Sequence, residues 1–333
     1  MSDNTNKSEQ QQQMKEIFIS ADVWYGIFDF LCPFDVGLKM ALISDRLDVL
    51  VDVHFKSREW ALERLIILSG TDGNSAEITN RSNELQPIPQ EPLPNKLIGF
   101  KELQICYINQ TVVELFQRFR RLFDFSETTV YIGTYEHQSR CWEIIWQKIW
   151  PMVNDNICCL SLESSQLGRL RQFSPAILRN CLNLRLVHSF DLFPEFPAED
   201  NAGASSRQAL AKWLITPRGD GHPKMLRCRY LDKLEALKRS FVNASEPANF
   251  IIRLRSSTGF EPFELNNNWT GEQLTLRRFD EYDRLMLVRC PIGREEDKWT
   301  KWEKEAIELD WFSQWNCIFV NFVDKDIDDE LRA

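Results

Sequence analysis

Histidine and cysteine, the residue types that most often carry chemistry, are scattered along this 333-residue chain. The four histidines, at positions 54, 137, 188 and 222, do not stand at metal-ligand spacing from a carboxylate or a cysteine. Nine cysteines occur without the Cys-x-x-Cys pair that is typical of structural zinc sites. Neither a glycine-rich phosphate loop nor a Gly-x-Ser-x-Gly turn is present. The sequence therefore predicts no catalytic, metal-binding or cofactor-binding residue, and we expect that the protein is not an enzyme.

One enzymatic alternative stays open at the level of sequence. The cysteine and histidine of a hydrolase meet in space rather than in sequence, so their distance along the chain does not exclude such a pair. A nucleophilic cysteine would need an accessible thiol with a lowered pKa. We instead expect mostly buried, reduced thiols.

Two other groups of residues could belong to a binding site. Trp142, Trp146 and Trp150 are four residues apart, a spacing that favours the buried face of a helix over a ligand cage. The segment 194–206 is rich in proline, glycine and serine and separates two predicted repeats. It is either a loop that carries binding residues or a plain disordered loop.

Composition narrows the class of partner. Hydrophobic residues make up 43% of the chain, which is normal for a globular protein. A net charge of −9 disfavours nucleic acid as a partner. No apolar run approaches the length of a membrane span, so we expect no membrane contact and a cytoplasmic protein, with entry into the nucleus left open.

The pattern of apolar residues predicts an N-terminal helical domain. Residues 1–15 are Gln-rich and predict a disordered lead. Residues 16–60 predict three short helices, the first with Val23, Ile27, Phe30 and Leu31 on one face. A piece this small leaves much of its apolar surface uncovered, which indicates a partner.

The remainder of the chain predicts a larger domain, which makes the fold class α+β. Residues 61–99 predict connecting loops and short strands. Residues 100–258 predict a strand followed by a helix every 25–29 residues, the period of a leucine-rich-repeat solenoid. Residues 259–333 predict antiparallel strands, a helix and a frayed acidic tail. The alternative to the repeat is a mixed domain whose spacing is accidental.

The N-terminal segment carries a family resemblance. Ile27-Phe28-Asp29-Phe30-Leu31-Cys32-Pro33-Phe34-Asp35 resembles the Ile-Phe-x-x-Leu-x-Pro-x-Asp stretch of the F-box, and Ala41–Arg46 resembles its continuation. The match covers about 40 residues. It departs from the family at Ile19-Ser20, where Leu-Pro is usual, and at Leu47, where tryptophan is expected. The style of the downstream chain is similar to the associated domains of nematode F-box families.

The resemblance implies a role in protein degradation. An F-box docks on the Skp adaptor subunit of a cullin-based ubiquitin ligase, and the downstream domain binds a protein substrate. The function expected from it is therefore substrate recognition in an SCF-type E3 ligase. The alternative is a stand-alone protein-binding scaffold whose F-box does not dock. The residues expected to contact the Skp adaptor are Ile19, Val23, Ile27, Phe28, Leu31, Pro33 and Val36.

Overall fold

The computed structural model describes residues 19–31, 33–80, 85–90, 92–123, 128–229, 233–254, 261–280, 284–308 and 316–332. Its internal contacts divide the chain into two compact units, Met1–Arg58 and Glu59–Ala333. The predicted disordered lead, residues 1–15, lies outside the described residues.

The N-terminal unit contains two regular helices, α1 (Ala21–Phe28) and α3 (Asp45–Ser57). The segment between them was predicted as one helix, but it is a run of short turns: α2 (Pro33–Asp35), a π turn (Val36–Met40) and a 3₁₀ turn (Ala41–Ile43). Gly37 lies within this run and weakens a regular helix there. The Ser44 hydroxyl caps α3 by accepting the Leu47 N–H at 3.3 Å.

A small core holds this unit together. It is built from Phe28, Val36, Leu47 and Val51, all nearly inaccessible to solvent. His54 stacks edge-on against Phe28, with ring centroids 5.3 Å apart. The core is therefore made by the end of α1, the first half of α3 and the first residue of the π turn.

The second unit is built on one sheet, in which the described residues form thirteen strands. Their bounds are β1 (Trp60–Ser69), β2 (Ala76–Thr79), β3 (Gln86–Pro87), β4 (Leu97–Ile105), β5 (Thr128–Ile132), β6 (Ile157–Ser161), β7 (Leu186–His188), β8 (Lys224–Cys228), β9 (Phe250–Leu254), β10 (Phe263–Asn267), β11 (Glu272–Arg278), β12 (Leu285–Pro291) and β13 (Cys317–Val320). The spatial order is β10-β11-β12-β9-β8-β7-β6-β5-β13-β4-β1-β2-β3.

Helices connect most of the strands. Their bounds are α4 (Gln110–Phe123), α5 (Ser139–Ile144), α6 (Trp150–Val153), α7 (Ser164–Phe173), α8 (Ile177–Asn180), α9 (Ser206–Ile215), α10 (Leu234–Val242), α11 (Glu296–Glu308) and α12 (Asp329–Arg332). A π turn, Ile145–Ile149, joins α5 to α6. Within this stretch Trp142 and Trp150 are buried, as their spacing predicted, whereas Trp146 is only half-buried and stacks on Phe173. The second unit is thus a mixed α/β structure around a large sheet.

The middle of the sheet is parallel. Strands β5 to β9 lie side by side in chain order, each parallel to the next, with helices in the connections. Both faces of these strands are largely buried, which explains their nearly continuous apolar runs.

Two features of the sheet differ from the expected arrangement. The antiparallel strands β10, β11 and β12 are present, but they form no separate C-terminal sheet because β12 pairs with β9 and extends the parallel one. The strand β13 lies between β4 and β5, parallel to both.

The acidic tail was expected to fray, but it is held to the second unit. Ile327 forms a parallel bridge with Ile108, and the Tyr107 hydroxyl donates to the Asp328 carboxylate at 3.1 Å. The Cys141 N–H donates to Asp324 Oδ1 at 3.0 Å. These contacts anchor the segment that follows β13.

Successive side chains on a strand point to opposite faces of the sheet. Helices α9 and α10 pack on one face, where Lys224 meets Trp213 and Arg289 lies over Phe241. We call this the helix face. Helix α11 crosses part of the other face, where Trp299 packs with Leu186 and Met225. We call this second side the open face.

Candidate functional site

Helix α1 presents apolar side chains outward as well as inward. Val23 is 52% exposed, Ile27 is 37% exposed, and Phe30, just past the helix, is 93% exposed. These three stand at i, i+4 and i+7 and therefore share one side. The other side supplies Phe28 to the core. Among the described residues of this unit, the helix consequently leaves this apolar face exposed to solvent.

The structure separates the residues predicted to contact the Skp adaptor. Val23 and Ile27 are exposed, and Ile19, Leu31 and Pro33 are half-buried. Phe28 and Val36, in contrast, lie in the core of the unit with almost no exposed surface. Their assignment as contact residues is wrong for this structure, because their side chains fill the space between α1 and α3.

Sequence reasoning missed other outward apolar residues. Leu42 and Ile43 end the 3₁₀ turn and are mostly exposed, as are Val49 and Val53 on α3. The spacing of four between Val49 and Val53 was a usable signal, but it was masked by the stronger buried stripe beside it. We call Val23, Ile27, Phe30, Leu42 and Ile43 the outward apolar set.

A buried histidine lies next to this core. His54 is nearly inaccessible, and its burial lowers its pKa below the ordinary value. Its Nε2 is 2.9 Å from Nη2 of Arg58, which also pairs with the Asp29 carboxylate. His54 is therefore a neutral packing residue.

The second unit carries a row of side chains across the open face. Seven residues on seven neighbouring strands are direct register partners, so they form a continuous line. In spatial order they are Gln104, Phe319, Tyr131, Ser161, His188, Arg227 and Arg253. We call this line the central row.

The chemistry of the central row changes along its length. Tyr131 and Phe319 form an aromatic pair with ring centroids 5.2 Å apart, and Tyr131 is 39% exposed. In the middle the Ser161 hydroxyl is 3.2 Å from Nδ1 of His188. The last two strands contribute Arg227 and Arg253. Ser161 and Arg253 are buried and the other members apart from Tyr131 are half-buried, so the accessible part of the row is its aromatic end. Aromatic side chains are enriched at protein–protein interfaces, so this end of the row is the candidate substrate surface.

Two carboxyl groups lie close together after the ends of β6 and β7. The Ser189 hydroxyl is within 3.3 Å of Glu163 and 3.0 Å of Asp191, and the Ser164 N–H donates to Asp191. Burial, together with the hydrogen bond and charge of Asp191, raises the pKa of Glu163 to about 7. The pKa of Asp191 is lowered: burial opposes this, but hydrogen bonds from Glu163, Ser164 and Ser189 outweigh it. Below about pH 7 the pair holds one proton between its two members, and that proton is lost as the pH rises above 7.

The cysteines of the second unit do not resemble nucleophiles. Burial raises the pKa of the Cys181 thiol to about 12 and that of Cys317 to about 11. The pKa values of Cys106, Cys141, Cys228 and Cys290 are raised as well. Within the described residues no group of three or more His, Cys, Asp or Glu side chains could hold a metal ion. These thiols lack the lowered pKa that the hydrolase alternative requires.

The proline- and glycine-containing loop at 194–206 is held in place by hydrogen bonds. The guanidinium of Arg171 is buried and donates to the backbone carbonyls of Asn201, at 2.7 Å, and Ala204. Arg179 pairs with Asp200, and Lys233 pairs with Glu195. The prediction of a plain disordered loop is therefore wrong. Segment 194–206 is an ordered connection between β7 and α9.

Comparison with known proteins adds no relative. No family model, no curated protein and no solved structure matches the chain. Among the residues that the structure describes, no helix is both long and apolar enough to pass through a lipid bilayer.

Proposed function

We propose that the chain is the substrate-recognition subunit of an SCF-type ubiquitin ligase, with the N-terminal unit docking on a Skp adaptor and the second unit binding a protein substrate. The observation that carries the proposal is the outward face of α1. Val23, Ile27 and Phe30 are exposed on the segment that resembles an F-box. A helix that shows apolar residues on the side opposite its own core fits a hydrophobic groove on a partner.

The second unit supports the substrate-binding half of the proposal. Strands β5 to β9 follow one another in space as they do in sequence, which is the arrangement of a βα repeat. Repeat proteins bind partners on the exposed part of such a sheet, and Tyr131, at the aromatic end of the central row, is exposed there. The insertion of β13 departs from a simple solenoid, so we propose the repeat for β5–β9 only.

The burial of Phe28 and Val36 favours the alternative function, a protein-binding scaffold whose N-terminal unit does not dock. Two of the seven predicted contacts are unavailable, which reduces the apolar area that could dock. In that alternative the chain is a protein-binding scaffold that uses the central row and has no ligase partner.

Direct binding to a purified Skp adaptor distinguishes the two functions. The full chain is titrated calorimetrically, as wild type and as the double variant Val23→Asp, Ile27→Asp. A charge that is buried at a docking surface without a partner costs several kcal/mol. We therefore expect the variant to bind at least about tenfold more weakly than the wild type. Tyr135→Asp, an exposed aromatic residue of the second unit, is the matched control and should bind like the wild type.

Circular dichroism must show that the double variant stays folded. Loss of binding in a folded double variant, with binding retained by the control, supports the adaptor function. A wild-type chain that does not bind any Skp adaptor overturns it. Equal binding by all three proteins places the contact elsewhere than on α1.

A further inference from the structure

The two edges of the large sheet are built differently. One edge is β3, which has two residues and ends in Pro87, a residue that cannot donate to a further strand. The other edge is β10, a five-residue strand without proline or lysine and with no irregularity in its pairing to β11. Within the described residues no strand pairs with the outer side of β10. Natural proteins usually protect such an edge with charges, a proline or a bulge. β10 carries one charge, Glu264, and neither a proline nor a bulge, which leaves it open to pairing.

We propose that β10 is a dimer interface, on which the same strand of a second copy of this chain pairs antiparallel about a two-fold axis through Leu265. Each chain would then extend the other's sheet through main-chain hydrogen bonds. An interface of this kind is isologous: it uses the same surface on both copies and closes after two subunits. The proposal does not depend on docking to a Skp adaptor.

The register about Leu265 is compatible in charge and in polarity. It places Glu264 opposite Asn266 of the second copy, so no like charges face each other across the axis. It also places Leu265 opposite Leu265 and Phe263 opposite Asn267. Phe263 and Leu265 point to the helix face and are only half-buried in one chain. Pairing would cover these two side chains and their symmetry mates, which stabilises a sheet through its cross-strand contacts.

An exposed tryptophan lies close to the proposed interface, in the turn that follows β10. Trp269, in the turn between β10 and β11, is 85% exposed, which is unusual for so large an apolar side chain. In the antiparallel pair this turn lies at the same end of the two strands as Glu261 and Pro262 of the second copy. Pro262 lines a cleft of about 740 Å³ together with Phe263, Glu264 and Arg277. The dimer would therefore bring Trp269 near this surface of the second copy, where an exposed tryptophan can act as an interface anchor.

Self-pairing is favoured over capture of an unrelated peptide because the strand is complementary to itself. A foreign strand would need an uncharged or basic residue opposite Glu264 and a surface to cover Trp269. The second copy supplies Asn266 opposite Glu264 and the surface around Pro262 near Trp269. A foreign peptide therefore becomes the interpretation to adopt if the chain proves to be monomeric.

Two substitutions at Asn266 test the register through opposite charges. Asn266→Glu places glutamate opposite Glu264 twice across the axis, and Asn266→Lys places lysine there instead. Within one chain Asn266 is exposed beside Gln273, so both changes are equally tolerable for folding. Sedimentation equilibrium of the full chain gives the dimer dissociation constant for each. We expect Asn266→Glu to weaken the dimer about tenfold and Asn266→Lys to leave it unchanged or tighter.

A third variant tests the tryptophan. Trp269→Ala should weaken the dimer by a factor of about 30, the size of an interface anchor. A wild-type chain that stays monomeric at every soluble concentration overturns the proposal. So does a dimer that responds equally to Asn266→Glu and Asn266→Lys, because its contact would not lie along β10.

Discussion

Two phenylalanines near the end of α1 have opposite environments. Phe28 is 2% exposed and fills the core, whereas Phe30 projects almost fully into solvent. Phe28→Ala should destabilise the N-terminal unit by about 3–5 kcal/mol, since it removes a buried ring and leaves a cavity. Phe30→Ala should change stability by less than about 0.5 kcal/mol. Hydrogen exchange of residues 19–57 in the full chain measures both.

The same pair of variants separates packing from docking. If Phe28→Ala leaves exchange in this region unchanged, the described core is wrong. Phe30→Ala should instead affect only binding to a Skp adaptor, since its side chain has little to contact within its own unit.

The carboxyl pair of Glu163 and Asp191 predicts a pH dependence of stability. Unfolding returns the Glu163 pKa from about 7 to its ordinary value of 4.5. Between these values the folded chain binds the extra proton, so stability falls as pH rises from 4.5 to 7 and the loss is complete above 7. The pKa of Asp191 is lowered, so its own effect on stability falls at pH values below the range from 4.5 to 7 and does not obscure the effect of Glu163.

Replacing Glu163 by glutamine should remove this loss. Relative to wild type, Glu163→Gln should gain about 1–2 kcal/mol at pH 8 over its value at pH 4.5, a figure reduced for partial exposure to solvent. Urea unfolding at the two pH values measures it. The exposed Glu136→Gln is the matched control and should run parallel to wild type. Parallel behaviour of Glu163→Gln would mean that Glu163 is ionised without cost.

At the scale of elements, Asn316 ties the start of β13 to two neighbours. Its buried side chain accepts the Phe100 N–H at 3.0 Å and donates to the Leu122 carbonyl at 3.1 Å. Its φ is +54°, a left-handed conformation that asparagine tolerates better than most residues. One side chain therefore connects β13 with β4 and with the end of α4.

Loss of this side chain should be costly. Asn316→Ala leaves a buried N–H and a buried C=O without their partner and puts alanine in a strained conformation, so we expect a loss of about 3 kcal/mol or more. Asn321→Ala, an exposed asparagine just past the other end of β13, should cost less than about 0.5 kcal/mol. Chemical denaturation of the full chain compares them, and equal effects would contradict the role of Asn316.

The bounds of individual strands were easier to predict than the strands with which they pair. Short apolar runs between turn residues are typical of buried strands. Three such runs, Phe250–Leu254, Ile157–Leu162 and Cys317–Val323, coincide with β9 or overlap β6 and β13. The place of β13 in the sheet could not be predicted. An alternating pattern at Ile318, Val320 and Phe322 indicates a strand but carries no information about its pairing partner.

The outward face of α1 was only partly predictable for a related reason. Val23, Trp24, Tyr25, Ile27 and Phe28 are all apolar, so helical periodicity could not decide which side would face the core. Contacts with α3 decided it. The central row was not foreseen at all, because its members come from seven strands whose register only the folded sheet defines.

At the scale of the whole molecule, β13 joins two parts of the sheet. On one side it pairs with β4, and on the other with β5. A variant that ends at Glu308 would lack β13 and leave the inner edges of β4 and β5 unpaired. We expect it to aggregate, since exposed apolar strand edges associate. Soluble yield and far-ultraviolet circular dichroism report the outcome.

A shorter truncation is the control for this effect. A variant that ends at Asp328 keeps β13, the bridge between Ile108 and Ile327 and the hydrogen bond from Tyr107 to Asp328. It should fold like the full chain. If the variant that ends at Glu308 folds equally well, β4 and β5 can pair without β13.

The position of β13 also determines when the sheet can be completed during translation. Strands β4 and β5 emerge early, but the strand that belongs between them follows only after residues 133–316 have been translated. At typical elongation rates of about 5–20 residues per second, that interval is on the order of ten to forty seconds. During it the nascent chain carries two apolar edges that have no native partner. The sheet is therefore completed late in translation, and chaperones that shield strand edges should matter more to this protein than its modest size suggests.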